Sequence, residues 1–257
     1  MLWKVFRFSP LSIMLFQIPL LLTLPKHGFA EFKVLKPGFE SRELKLQTGL
    51  FTSELVVVRI NTKLWRIKVF KGPESKTAQE VCQETNSAAA INANFFGTNL
   101  QPLGLIISNS TLLHPLQLGG HTLTGIYVNN PEMNKIIHRD KFQSSDDFVE
   151  AVQAGPRLIA DGQPISIPED SSTRRSAIAI DGNGRILLFA SKDRFPGLSL
   201  KEFQQILLDK DLDIKDALNL DGGGSSQLYV SYSKLGQEIS VSGGDRVPVF
   251  LTVKEVK

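Results

Sequence analysis

Asp221 is the residue with the clearest potential for chemistry. An apolar stretch ends in this acid, and three glycines and two hydroxyl side chains follow it (ALNLDGGGSSQ, residues 217–227). Glycines allow left-handed turns and a close backbone approach to a ligand, and successive free N–H groups in such a turn bind anions. The segment has neither the lysine of a P-loop nor the Gly-x-Ser-x-Gly frame of a nucleophile elbow. We expect Asp221 at a ligand-binding sheet edge; a tight turn in which Asp221 caps its own loop is the alternative.

Two further segments carry polar side chains at the ends of apolar stretches. Asn92 and Asn94, in AINANFFG (residues 90–97), supply amides suited to sugar hydroxyls, and two phenylalanines beside them are suited to an apolar wall. A core strand ending in an Asx-turn is the alternative. Arg174 and Arg175 precede the apolar run SAIAID, and the planar guanidinium group binds phosphate through several donors. The alternative for this pair is a solvated loop tip.

The elements that must position these residues are mostly strands. Apolar runs bounded by turn residues predict strands over residues 55–60, 64–70, 88–92, 176–181, 185–190, 216–220 and 247–253. Trp65, Ile67 and Val69 alternate with polar residues and predict one apolar face. The Gly-Asn-Gly turn after Asp181 predicts a hairpin between the fourth and fifth of these strands.

Two helices are predicted from their capping boxes. Thr77 is followed three residues later by Glu80, and Ser199 by Glu202, which predicts helices over residues 77–85 and 199–208. The order of elements predicts an α+β fold, with a mixed, twisted β-sheet and a few helices in a single domain.

The first thirty residues predict an export signal. Lys4 and Arg7 precede a mainly apolar stretch over residues 8–24, and Gly28 and Ala30 supply the small residues of a cleavage site after Ala30. An uncleaved membrane anchor is the alternative. We expect residues 31–257 to be the functional domain, exported to the periplasm or the extracellular space, with membrane contact only through the signal segment.

The composition is that of a globular protein. The chain has 257 residues, of which 42% are hydrophobic and 21% charged. The single cysteine, Cys82, excludes an intramolecular disulfide and a cysteine-based zinc site. Residues 31–257 contain equal numbers of basic and acidic residues, so we expect no nucleic-acid partner. We expect no metal or other cofactor, and the sequence does not indicate an oligomeric state.

Taken together, these segments resemble the phosphodiester glycosidases. Residues 91–96 (INANFF) are similar to the family's Asn-Gly-Gly-Phe/Tyr-Phe segment, and residues 102–105 (PLGL) to the Pro-x-Gly segment that follows it. Residues 154–162 (AGPRLIADG) resemble its Gly-Gly-Pro-x-Leu-x-x-Asp-Gly segment, and residues 175–177 its Arg-Thr-Ala. Residues 219–226 (NLDGGGSS) match its most specific block almost letter for letter, and all five segments follow the family's order.

The resemblance implies a secreted hydrolase that cleaves a sugar-1-phosphodiester at the bond between sugar and phosphate. N-acetylglucosamine-1-phosphodiester is the candidate substrate. Asp221 is then the base or the electrostatic support of the anomeric carbon, and Arg175, together with the loop amides, stabilises the departing phosphate. The implied substrate-binding residues are Asn92, Asn94, Asn219, Gly222, Gly223, Gly224 and Ser225.

One departure from the family pattern favours a second function. The glycine pair expected after Asn92 is replaced by Ala93 and Asn94. Two added side chains narrow a site that a ligand must approach closely. The alternative is therefore a non-catalytic module that binds sugar phosphates or envelope polysaccharide.

Overall fold

The structure, a computed structural model, describes residues 31–48, 51–144, 147–193, 195 and 197–256. The predicted export signal over residues 1–30 lies outside the described residues.

The described chain consists mainly of short and medium-length strands. The strands of its first half are β1 (Lys33–Lys36), β2 (Phe39–Thr48), β3 (Phe51–Ile60), β4 (Trp65–Lys76), β5 (Ala89–Asn92), β6 (Ile106–Ser108), β7 (Thr111–His114), β8 (Gly125–Asn129) and β9 (Asn134–His138). Those of its second half are β10 (Glu150–Ala154), β11 (Arg157–Ala160), β12 (Gln163–Pro164), β13 (Ser176–Asp181), β14 (Ile186–Ser191), β15 (Ile214–Asn219), β16 (Leu228–Val230), β17 (Ile239–Val241) and β18 (Val247–Glu255). The helices are α1 (Ala78–Thr85), α2 (Leu200–Leu207) and α3 (Tyr232–Leu235), and two 3-10 turns cover Arg139–Lys141 and Gly223–Ser225.

Both predicted capping boxes are confirmed. At α1, the Glu80 amide donates to the Thr77 hydroxyl at 3.3 Å, and the Thr77 amide donates to the Glu80 carboxylate at 2.8 Å. Ser199 and Glu202 make the same reciprocal pair at α2. These bonds satisfy amides that would otherwise lack partners in the first turn, which is why each helix begins where the sequence predicts.

The predicted strands are confirmed as well, although their ends differ by a few residues. The hairpin of β13 and β14 forms around the Gly-Asn-Gly turn. In β4 the side chains of Trp65, Ile67 and Val69 are all buried, as their alternation predicts. A short strand between two turns is also predicted within residues 153–162, and β11 confirms it. The sequence did not reveal β1, β2, β6–β10, β12, β16 or β17.

The strands form three antiparallel sheets, so the prediction of a mixed sheet is wrong. The large sheet has the order β1-β2-β3-β14-β13-β15-β11-β12, the middle sheet β7-β6-β10-β8-β9, and the C-terminal sheet β17-β16-β5-β18-β4. All 15 strand pairings among the described residues are antiparallel. Parallel pairing requires long crossover connections, usually helical, and the described helices are too short and too few to supply many of them.

The large sheet is covered on both faces. One face packs against the other two sheets, where Val58 and Ile178 share a core with Ile91 and Leu251 of the C-terminal sheet and with Tyr127 of the middle sheet. The other face is covered by α2, whose buried side chains include Phe203. Burying a side chain of this size contributes about 2–3 kcal/mol, so both layers fix the sheet that carries Asp221.

Candidate active site

Asp221 lies where the large sheet meets the C-terminal sheet. The residue before it, Leu220, still donates its amide to Ser176 of β13 at 2.9 Å. The amide of Asp221 instead donates to the carbonyl of Ala93 at 2.9 Å, directly after β5. Its carbonyl accepts a 2.6 Å hydrogen bond from the Asn92 side chain. The backbone of Asp221 is therefore fixed by both sheets.

The Asp221 carboxyl is half-buried and has two hydrogen-bond donors. The Gly222 amide donates to Oδ1 at 2.9 Å, and the Ser225 hydroxyl is the second partner. Burial is the largest influence and raises the pKa of Asp221 to about 6, against the lowering effect of both hydrogen bonds. The negative charge of Asp245 also raises this pKa. A carboxyl with a pKa near 6 exchanges protons close to neutral pH, which suits a general base.

Most backbone amides of the glycine loop already donate hydrogen bonds within the protein. The Gly223 amide donates to the Arg174 carbonyl at 2.9 Å, and the Ser225 amide to the Gly222 carbonyl at 3.1 Å. Since the Gly222 amide is taken by Asp221, only the Gly224 amide, among these four, has no partner in the described chain. The expected set of four free amides is therefore not formed, because three of them already stabilise the turn.

The backbone favours glycine at Gly223, and Gly224 lies in close contact with an acidic side chain. Gly223 has φ +60°, a left-handed conformation that side chains disfavour. At Gly224 a Cβ atom would collide with the carboxylate of Asp245. The turn over residues 243–245 is fastened to the same place, because the amides of Gly244 and Asp245 both donate to the Gly224 carbonyl, at 2.7 and 3.0 Å. Asp245 thus lies against the loop that carries Asp221.

The adjacent arginines have different roles in the structure. Arg174 donates to the carbonyls of Gly223 at 3.1 Å and Ser242 at 2.7 Å, and also to that of Ser226. Its guanidinium therefore fastens the glycine loop to the turn that holds Asp245.

Two of the three guanidinium nitrogens of Arg175 donate hydrogen bonds within the protein. Its Nε donates to the Leu198 carbonyl at 2.8 Å, and its Nη2 donates to the Ser171 carbonyl at 2.7 Å and to the Asp170 carboxylate. Its Nη1 has no partner in the described chain and lies 3.8 Å from the position that a Cβ on Gly222 would occupy. Burial lowers the pKa of Arg175, and Asp170 opposes this effect. One donor thus remains available beside the glycine loop.

Asn92 is fully buried and uses both ends of its amide within the protein. Its Oδ1 accepts from the Ser176 hydroxyl at 2.9 Å and from the Gln227 amide at 3.0 Å, while its Nδ2 donates to Asp221. The structure therefore brings residues around Asn92, Arg175 and Asp221 together, and it places Asn92 behind Asp221. A contact between Asn92 and sugar stays a prediction.

Asn94 and Asn219 are also buried, but each leaves one polar atom unpartnered among the described residues. Asn94 donates to the Leu103 carbonyl at 3.3 Å, and Asn219 donates to the Gly155 carbonyl at 2.9 Å. The Oδ1 atoms of both side chains have no hydrogen bond. Burying an amide oxygen without a partner is costly, and both atoms are shielded from solvent in this structure. A contact of either oxygen with sugar stays a prediction.

A family model described as phosphodiester glycosidase matches residues 85–254, which is well over half of the chain. The chain belongs to the phosphodiester glycosidase family. This family segment contains Asn92, Arg175 and Asp221. No curated protein matches the sequence.

Solved structures from several organisms share the fold of this phosphodiester glycosidase family member. The catalytic domain of zebrafish N-acetylglucosamine-1-phosphodiester alpha-N-acetylglucosaminidase, auto-inhibited by its pro-peptide, has a TM-score of 0.68 at 16% identity, covering 86% of this chain and 85% of that one. A hypothetical protein from Synechocystis has a TM-score of 0.66 at 20% identity, and the match covers 89% of this chain and 64% of that one. A candidate exported protein from Burkholderia pseudomallei K96243 has a TM-score of 0.59 at 12% identity, and the match covers 79% of this chain and 74% of that one. This chain therefore spans about 64% of the length of the Synechocystis protein, and at these identities the likeness establishes the fold alone.

Sequence reasoning did not identify Asp170 or Asp245 as parts of this site. Asp245 follows a second glycine pair, Gly243 and Gly244, and that repetition of Gly-Gly next to an acid was an available signal. Asp170 lies in an irregular segment with no pattern that points to Arg175. Its role depends on a contact that only the folded chain creates.

The described residues contain no cluster of three or more His, Cys, Asp or Glu side chains that would suit a metal ion. Within the same part of the chain, no helix is long and apolar enough to cross a bilayer.

Proposed function

We propose that this protein is an exported hydrolase that cleaves a sugar-1-phosphodiester between the anomeric carbon and the phosphate oxygen. Membership of the phosphodiester glycosidase family supports this kind of activity. The zebrafish neighbour is named for N-acetylglucosamine-1-phosphodiester, which makes that compound the first substrate to test. Residues 31–257 form the proposed functional domain. The sequence of residues 1–30 supports export, as does the Burkholderia neighbour, which is described as a candidate exported protein.

The observation that carries the proposal is the environment of Asp221. Its carboxyl is held by the Gly222 amide and the Ser225 hydroxyl, yet it remains half-buried and has a pKa of about 6. Above that pH the carboxylate is able to take a proton from water. The free Nη1 of Arg175 lies beside the same loop, where it suits a departing phosphate.

The proposed reaction uses one water molecule. Water attacks the anomeric carbon, and Asp221 accepts one of its protons as the new C–O bond forms. The bond from that carbon to the phosphate oxygen breaks, and the oxygen leaves with the bonding electrons. Arg175 Nη1 and the Gly224 amide stabilise the charge on the departing phosphate, a contribution of roughly 3–4 kcal/mol for one well-placed donor. Asn94 and Asn219 accept hydrogen bonds from sugar hydroxyls, and Asn92 holds Asp221 in place.

The proposal is tested by measuring sugar release from a nucleotide-diphosphate N-acetylglucosamine and from a nitrophenyl phosphodiester of the same sugar. Asp221→Asn is expected to lower kcat by at least about 100-fold, because amide nitrogen and oxygen do not replace a general base. Asp216→Asn is the matched control. Asp216 lies on β15, the strand that leads to Asp221, and burial raises its pKa too, but it is five residues from Asp221 and outside the loop.

The result that contradicts the proposal is full turnover in the Asp221→Asn variant. A wild-type protein that is thermally stabilised by these compounds but releases no sugar would instead support the binding module. The structure reduces one argument for that module, because Ala93 is only 1% exposed and packs in the core between the sheets. Its side chain does not narrow the region around Asp221.

A further inference from the structure

Arg157, at the start of β11, has a half-buried guanidinium without a partner. Its Nε is buried and makes no hydrogen bond, and none of its guanidinium nitrogens has a hydrogen bond or ion pair with any described residue. The positive charge of Arg157 lowers the pKa of Asp216, but the two side chains form no ion pair. Burying a charge is costly unless it is paired, so this side chain is suited to an anionic partner from outside the protein.

The aliphatic stem of Arg157 packs closely against β8. Its amide donates to the Thr124 hydroxyl at 3.1 Å, which ties the start of β11 to β8. Its stem crosses β8 at Gly125, where an added Cβ would lie 2.6 Å from Cγ. The glycine therefore leaves the space through which the stem passes.

Besides a smaller cavity of about 290 Å³, Arg157 lines a cavity of about 450 Å³. Its wall combines basic and hydroxyl side chains with apolar ones, among them His121, Thr124, His138, Pro156, Arg157 and Ile167. The acids nearest to these basic groups are Asp140, which contacts His138 at 3.3 Å, and, around a smaller neighbouring cavity, Asp161 and Asp216. A volume of this size accepts a sugar ring or a similar group.

The cavity lies beside the strand that leads to Asp221. The Pro156 carbonyl, next to Arg157, accepts the amide of Asn219 at 3.1 Å, and Asn219 is two residues before Asp221. Arg157 also occupies the unspecified position of the family's Gly-Gly-Pro-x-Leu segment.

We propose that this cavity is a second anion site, in which Arg157 binds a carboxylate, phosphate or sulfate group carried by the substrate away from the bond that is cleaved. Thr124 and the two histidines line the same space. The assignment to substrate rests on the proposed function, but the binding of an anion does not.

The first experiment titrates the protein with inorganic phosphate and follows backbone amide signals by NMR. In the wild type, the signals of Thr124 and Arg157 are expected to shift. In Arg157→Gln those shifts are expected to disappear, while shifts at Gly224 persist. Arg66→Gln, at an exposed arginine on β4, is the matched control and is expected to behave as the wild type. An unchanged response of the cavity signals in Arg157→Gln would overturn the proposal, whether or not the protein hydrolyses sugar phosphodiesters.

The second experiment separates a free anion from one carried by the substrate. KM is measured for two sugar phosphodiesters that differ only in a carboxylate on the leaving group. Arg157→Gln is expected to raise KM about tenfold for the charged compound, the effect of losing one charge-assisted hydrogen bond, and to leave KM for the neutral compound unchanged. Equal changes for the two compounds would overturn the assignment to substrate.

Discussion

At Asp221, function and stability make opposite demands. Folding raises the pKa of this carboxyl from 3.8 to about 6, mainly through burial. The folded protein therefore binds this proton more tightly than the unfolded chain does. As the pH rises from about 4 through 6, the folded state loses that advantage and retains a buried negative charge. Asp221 thus destabilises the fold at the pH at which it is an effective base, a compromise common in active sites.

The first residue-scale prediction follows from this linkage. Asp221→Asn is expected to increase the free energy of unfolding by about 1–2 kcal/mol at pH 7.5, less than the full pKa difference implies because the carboxyl is only half-buried. At pH 4 the gain should vanish, since Asp221 is then protonated in the folded state. Urea unfolding at both pH values measures the difference in the free energy of unfolding between variant and wild type. Asp213→Asn, at an exposed position, is the control. A pH-independent gain would contradict the linkage.

The second prediction concerns Asp245. Its negative charge raises the pKa of Asp221, and its carboxylate lies against Gly224. Asp245→Asn is expected to move the acid limb of the kcat/KM profile from near pH 6 to a lower pH, by roughly half a pH unit. The exposed Asp211→Asn should leave the limb in place. A shift in the opposite direction would show that Asp245 does not act on Asp221 through its charge.

The two arginines show what sequence can and cannot predict for a single residue. The motif around Arg174 and Arg175 indicated that an arginine would lie near the glycine loop. The two residues by themselves are not distinguished by local pattern, and it was the resemblance to the family's Arg-Thr-Ala segment that selected Arg175. Their partners are mainly the backbone carbonyls of residues far along the chain, such as Ser242 and Leu198. Whether a guanidinium retains a free donor depends on those contacts, which are properties of the folded chain.

At the scale of elements, local patterns were sufficient wherever the stabilising contacts are local. The capping boxes and the Gly-Asn-Gly hairpin are formed by residues within a few positions of one another, and all were predicted. Strands such as β10 and β16 were not, because each is short and depends on partners distant in sequence. β10 pairs with β6 and β8, and β16 pairs with β5 and β17.

The segment before β13 contributes Asp170, which contacts both α2 and Arg175. Asp170 accepts from the Leu200 amide at 2.8 Å, at the start of α2, and also binds Arg175. It therefore links a helix end to the guanidinium beside the glycine loop. Asp170 is a positioning residue, because its effect on the reaction passes through Arg175.

Asp170→Asn is expected to lower kcat roughly tenfold, because the buried Arg175 loses its charged partner and its free Nη1 is less well placed. KM for a neutral sugar phosphodiester should change little. In an Arg175→Met background, which has no charge for Asp170 to pair with, a further Asp170→Asn change should leave kcat nearly unchanged, which a merely structural role for Asp170 would not produce. The exposed neighbour Glu169→Gln is the control. Equal losses of kcat and thermal stability in Asp170→Asn would argue for a structural role only.

For the whole molecule, the fold places the site by joining two antiparallel sheets. The sequence predicted that residues around Asn92, Arg175 and Asp221 belong to one family and one site, but it predicted a single mixed sheet. The physical reason for that error is that strand periodicity describes which face is buried, not which strands pair or in which direction. The junction itself consists of hydrogen bonds between chain segments more than 80 residues apart, such as Asn92 with Ser176.

Asn92 is the centre of that junction, and its removal tests the architecture. Asn92→Ala leaves the Ser176 hydroxyl, the Gln227 amide and the Asp221 carbonyl without their partner. Each unsatisfied buried group costs about 1 kcal/mol or more, so the free energy of unfolding should fall by roughly 2–4 kcal/mol. Turnover should fall mainly through kcat, because Asp221 is displaced. Asn99→Ala, on an exposed loop, is the control. If Asn92→Ala kept its stability and only raised KM, Asn92 would be a contact to the sugar, and the junction would have to be held by other bonds.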